Sequence, residues 1–223
     1  MHQLFARINQ RLASPLDLGP RLMLAAAGFL LAAIILFPLW NLTMYAPQYP
    51  EGLRLDIYSY KLEGGNNNQD ITEINILNHY IGMRDLVEED FTEFKWLPFV
   101  VGALALLYLR AAVVGTVGHV LDVLVLNLYF SMFALGSFAH RLYQYGHTLS
   151  PGAAVKVDPF MPPVFGSKQL ANFLVYSYPG AASWAMAVST VLVMLAMLVA
   201  WRASRAGLGP GAISPQDAAG ARG

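Results

Sequence analysis

Four stretches of this chain are longer and more apolar than anything a small soluble core needs. From Leu22 to Leu39 no residue is charged, with Arg21 before the run and Trp40 after it. Residues 97–114 carry only Arg110, residues 120–139 only Asp122, and residues 185–201 no charge. About 20 apolar residues in a helix cross a hydrocarbon core of about 30 Å. Composition agrees: 56% of the 223 residues are hydrophobic and 13% charged, about half the charge density of a soluble domain. The sequence therefore predicts an all-α membrane protein. Its four transmembrane helices fall at 22–40, 97–114, 120–139 and 185–201. Bulky Phe37, Pro38, Leu39 and Trp40 follow the first run where a signal peptidase would need small residues, so it reads as an uncleaved anchor. All four tryptophans, Trp40, Trp96, Trp184 and Trp201, fall at span ends, where an amphipathic ring prefers the headgroup layer.

Net charge is zero, which gives no reason to expect nucleic acid as a partner. The distribution of charge is more informative. Arg7, Arg11, Arg21, Arg110, Arg202 and Arg205 fall on one side of the predicted spans, while ten acids face four bases between Asn41 and Lys95. Basic residues near a span resist export, so both termini are expected in the cytoplasm. Segments 1–21 and 202–223 lie on that side, the first opening with an amphipathic helix and the second, rich in Gly, Ala and Pro, expected to be disordered.

Two segments remain outside, 41–96 and 140–184. Both carry apolar and aromatic residues that need cover, and a small mixed α/β extracytoplasmic cap satisfies that need. Leu53, Leu55 and Ile57 alternate with Arg54, Asp56 and Tyr58 as in a half-buried strand. The run from Gly64 to Asn68 breaks the chain. Ile71, Ile74, Leu77, Asn78 and Ile81 then have helical spacing, Asp70 and Glu73 resemble a capping box, and Gly82 is placed to stop the helix. The acids from Asp85 to Glu93 read as a solvated linker, since they lack the ligand spacing of a calcium-binding hand. The prolines and aromatics from Asp158 to Tyr178 suggest a lid ordered against the bundle.

With no cysteine, disulfides, thiolate metal sites and c-type haem are excluded. There is no phosphate-binding glycine loop, nucleophile elbow or paired-histidine zinc motif, and no catalytic residue is assigned. His79 and Met83 are four apart, so on a continuous helix they would share a face. An imidazole and a thioether together suit Cu(I). His140, His147 and Met161 are the further candidate ligands in the outer segments, with core packing the plainer role for each methionine. Arg110 and Asp122 flank the turn between spans two and three, where an ion pair is expected and proton conduction is the alternative.

Ala46-Pro47-Gln48-Tyr49-Pro50-Glu51-Gly52-Leu53, Asn78-His79-Tyr80-Ile81-Gly82-Met83 and the stretch from Pro162 to Leu170 together resemble an uncharacterised bacterial four-helix membrane-protein family. That family is associated with nitrous oxide reductase maturation and other copper or respiratory genes. The resemblance implies a multi-pass protein of the bacterial inner membrane that handles copper or helps assemble a copper enzyme at the periplasmic face. Its partners would be subunits of a copper enzyme or respiratory complex. The alternative is a structural or docking subunit of such a complex without its own metal, and an enzyme acting on lipid or quinone is the third class.

Overall fold

A computed structural model describes residues 2–170 and 172–206. It is about 61% helical and contains four helices long and apolar enough to cross a membrane, together with a small antiparallel sheet. The elements run α1 (His2–Leu12), α2 (Leu18–Ala33, continued by a 3-10 turn to Leu36), β1 (Trp40–Ala46), β2 (Tyr49–Ile57), β3 (Leu62–Gly64) and α3 (Gln69–Ile81). After these come α4 (Glu93–Val114), α5 (Val117–His147), β4 (Gly166–Leu170), β5 (Phe173–Pro179) and α6 (Ala181–Ala206).

The bundle packs α2 between α4 and α6, with α5 against the outer sides of those two. Without a hydrophobic drive between helices in lipid, close approach depends on small side chains and interhelical hydrogen bonds. Ala27, Ala105, Ala112, Ala182, Ala196 and Ala200 are all buried in this core. Ser189 on α6 donates to the Ala27 carbonyl of α2 at 3.0 Å, and Asn127 on α5 donates to Thr190 of α6 at 2.7 Å.

At the turn between α4 and α5 the expected Arg110–Asp122 ion pair does not form. Both side chains are exposed, and neither joins a hydrogen bond or ion pair among the described residues. Arg21 binds here instead. Its guanidinium donates to Val113 O at 2.7 Å, Ala112 O at 3.4 Å and Leu16 O at 3.0 Å. The last carbonyls of a helix lack intrahelical partners and carry partial negative charge, so a cation there caps α4.

The sheet sits at the opposite end of the bundle, where α2 and α5 finish and α4 and α6 begin. Its order is β3-β2-β1-β5-β4, all antiparallel. β1 and β5 come from the two outer segments and pair from Trp40↔Pro179 to Tyr45↔Leu174. Leu42 and Leu55, with Phe173 and Val175, point to one face, where α3 adds Ile74, Leu77 and Ile81 to form a second core.

Several expectations change at this end. The first span stops at Leu36 and Trp40 starts β1, because Pro38 cannot continue a helix. α5 runs on to His147, so its 31 residues reach about 46 Å, well beyond a hydrocarbon core. The lid from Asp158 to Tyr178 contains β4 and β5. Residues 202–206 of the expected tail belong to α6, and the remainder lies outside the described residues.

The expected strand and the helix ending at Gly82 are present, but the capping box is not. Asn68, with φ +70°, is the N-cap, and Asp70 is buried, accepting from Arg54 N and Asn66 Nδ2 at 2.8 Å each. Of the acids after Asp85, Glu89 stays exposed as a solvated linker would have it, while three others take specific places. Glu88 accepts from Leu62 N at 2.8 Å, Asp90 pairs with Arg84 at 2.8 Å, and Glu93 opens α4.

Two measurements check this architecture. A Cβ at Gly180 would lie 2.2 Å from Pro38 O, a backbone atom that cannot swing aside. Gly180→Ala should therefore cost roughly 1–3 kcal/mol, as overpacking does, read as a lower unfolding midpoint of the detergent-solubilised protein; an unchanged midpoint would contradict the close junction. The Tyr49 hydroxyl donates to Glu73 and, with Gln69, holds its carboxyl below the usual carboxylate range. This tie between β2 and α3 is present at neutral pH and is lost as pH falls through that depressed value. Tyr49→Phe should return the Glu73 titration, followed by NMR, towards the ordinary carboxylate range.

A candidate binding cavity between sheet and bundle

The inward face of the sheet does not close tightly on the helices. A cavity of about 240 Å³ lies between them. Leu42, Leu55 and Val175 of the sheet and Ile74 and Ile81 of α3 line it on one side. Trp96 and Leu97 of α4, Ala134, Leu135 and Phe138 of α5 and Met186 of α6 line it on the other. Local sequence explains the shape. Beyond Asn127, α5 is held at a distance by bulky contacts, Phe133 against Trp96 with centroids 5.8 Å apart and Phe138 against Trp40 at 4.9 Å. The small residues Ser131, Ala134 and Ser137 lie on its cavity side. Leu135 is 52% exposed while also lining the cavity, so the space reaches the outer surface of the bundle beside it.

Native interiors hold few voids larger than a water molecule. Water is a poor filler for such apolar walls, whereas a hydrocarbon is a good one.

The polar groups on the wall are few, and most are spent on backbone. Ser131 donates to Asn127 O, Ser183 to Leu39 O and Tyr145 to Asp85 O. The exception is an ion pair. Arg141 of α5 reaches the first residue of α4, donating through Nε to Glu93 Oε1 at 3.2 Å and through Nη2 to Oε2 at 3.0 Å. Ser137 adds a bond to the same carboxylate at 2.8 Å. The paired side chains keep 24% and 20% of their exposure. This fork-to-fork geometry fixes both groups. Phe91 lies under the guanidinium, 5.9 Å from its ring centroid, and stacks with Phe94 and Tyr145. Sequence reading passed over both members of the pair.

The predicted ligands are placed differently from the spacing argument. α3 ends in a Schellman motif: Gly82 at φ +80° donates to His79 O, and Met83 donates to Asn78 O at 2.8 Å. Met83 therefore lies past the cap and does not share a helical face with His79. Its side chain lines the cavity, while His79 is exposed on α3. His140 and His147 lie two turns apart on α5, about 10 Å along its axis, too far for one ion with bonds of about 2 Å. Both are exposed. His140 contacts Gln144, and His147 stacks on Tyr143 at 3.7 Å while its Nδ1 donates to that residue's carbonyl. Met161 is half-buried, and its carbonyl accepts from Lys168 at 2.9 Å. Among the described residues no three His, Asp or Glu side chains converge. Three thioethers, those of Met44, Met83 and Met186, do line the cavity.

The far face of the sheet alternates outward with Thr43 and Tyr45 on β1 and Leu174, Tyr176 and Tyr178 on β5, which enclose a shallow hollow. Tyr45 meets Tyr176 edge-on at 5.7 Å, and Phe165 meets Tyr178 at 5.4 Å. Comparison with known protein families, characterised proteins and solved structures gives no match to this chain.

Proposed function

We propose that this protein is an accessory membrane protein that holds the apolar chain of an amphiphile in the cavity between its sheet and its bundle. The observation that carries this reading is the cavity, whose walls are hydrocarbon and whose margin meets the outer surface of the bundle at Leu135. A chain that leaves lipid for such a site loses no solvation, and it recovers the packing that the open walls lack. The wider setting is a bacterial inner membrane with the sheet on the periplasmic side and both termini in the cytoplasm. Arg21, Arg110, Arg202 and Arg205 at the end of the bundle away from the sheet support that orientation. The tyrosine-lined outer face of the sheet suits docking on a partner such as a respiratory-complex subunit, since tyrosine is enriched at protein interfaces.

Copper handling is the second reading, and the specific observation in its favour is that the thioethers of Met44, Met83 and Met186 all line the cavity, soft donors of the kind suited to Cu(I). Anaerobic titration against a competing chelator checks it: Met83→Leu should weaken Cu(I) binding, and an unaltered affinity rejects Met83 as a ligand.

The chain-binding reading predicts that the intact protein, released gently from membrane and weighed by native mass spectrometry, retains one amphiphile. Ala134→Trp, which projects an indole into the cavity, should abolish that retention while the helical circular dichroism stays unchanged. Equal retention in both proteins would place the amphiphile elsewhere. Orientation is read with an impermeant thiol reagent, which the cysteine-free sequence makes simple. Single cysteines at Asn66 and Ser150 should label from outside whole spheroplasts, and one at Pro210 should not; the reverse pattern overturns the assignment.

A further inference from the structure

The charged wall of the cavity is electrically complete. Glu93 and Arg141 are the charged residues that line it, and they neutralise each other through two parallel hydrogen bonds. One edge of the guanidinium is nevertheless left over. Nε and Nη2 are committed to Glu93, with Nη2 also 3.4 Å from Thr92 Oγ1, whereas Nη1 donates to no group among the described residues. An arginine has five N–H donors in a fixed fork and accepts nothing. A residue that lines the apolar space therefore keeps one unspent donor, its charge balanced by Glu93.

Resting on the chain-binding reading above, we propose that the cavity selects an uncharged amphiphile, a hydrocarbon chain bearing a neutral carbonyl acceptor that Arg141 Nη1 holds, and that Glu93 sets this selectivity. A carboxylate or phosphate head at Nη1 would be attracted by Arg141 and repelled by the nearby Glu93 carboxylate. It would also give up its own hydration, so its two electrostatic contributions oppose while its desolvation cost remains. A carbonyl gives up little hydration and gains a charge-assisted hydrogen bond. The ring stack of Phe91, Phe94 and Tyr145 lies beside the pair and covers part of it. Two natural sources present this chemistry, the ester carbonyl of a neutral glyceride and the ring carbonyl of an isoprenoid quinone.

Three probes of similar chain length separate the cases when bound to the full chain in amphipol and counted by native mass spectrometry: dodecanoylglycerol, decylubiquinone and dodecyl phosphate. The wild type should prefer at least one of the neutral probes to dodecyl phosphate by about tenfold or more. The winner between the two neutral probes names the source. Glu93→Gln frees the charge of Arg141 and should reverse the order in favour of dodecyl phosphate. Arg141→Lys keeps the charge balance but deletes the fork, and should retain chain binding while losing the preference for a carbonyl. This second variant also serves if Glu93→Gln fails to fold. Equal binding of dodecyl phosphate to the wild type, or an unchanged order in both variants, overturns the selectivity. Failure of all three probes to bind the wild type, with Ala134→Trp indifferent as well, overturns the chain-binding reading itself and with it the selectivity.

Discussion

The pairing of β1 with β5 is the constraint on which the rest of this architecture depends. It joins the point where the chain leaves α2 to the point where it enters α6. Gly180 N donates to Leu39 O at 2.8 Å, Ala182 N to Pro38 O at 3.0 Å, and the Ser183 hydroxyl reaches Leu39 O as well. These bonds satisfy backbone groups where the chain passes between helix and strand, so that neither junction leaves them unpaired. They also fix the height at which the sheet sits above the helices. The cavity is what remains between a sheet fixed at that height and a helix, α5, that is held off by aromatic contacts.

The helices were legible because lipid imposes one strong rule, a long run without charge, and each run announces itself locally. The second half of β2, from Leu53 to Ile57, and the helix ending at Gly82 were legible for a similar reason, since their periods lie within a few residues. β1, β4 and β5 were not. β1 begins at Trp40, where apolar sequence continues from the span with no change of character. β5 reads Phe-Leu-Val-Tyr-Ser-Tyr, and what makes it a strand is a partner some 130 residues earlier in the chain. Such pairing is a tertiary fact and leaves little periodic trace in a segment lined on both faces by apolar or aromatic side chains.

The candidate site repeats that lesson more sharply. The expected need of the outer segments for cover was correct in kind, because their apolar residues do bury one another. The expected ligand pair was drawn from helical spacing, and Gly82 breaks that spacing by turning the backbone left-handed one residue before Met83. A glycine that ends a helix also redirects the side chain after it, here from beside His79 into the cavity. The Glu93–Arg141 pair connects residues 48 positions apart. Neither belongs to a recognisable motif, and no local pattern in the sequence marks the two as partners.

The order of the strands also constrains how the molecule can be made. β3, β2 and β1 emerge with the first outer segment, but the partner of β1 arrives only after α4 and α5 have been inserted. Until then β1 is an open edge lined by unpaired backbone donors and acceptors, at the surface of a crowded membrane. Closure of the sheet is therefore a late event, requiring contacts between distant parts of the sequence that form slowly. The half-built protein must spend its synthesis with an adhesive border exposed until β5 arrives to cover it.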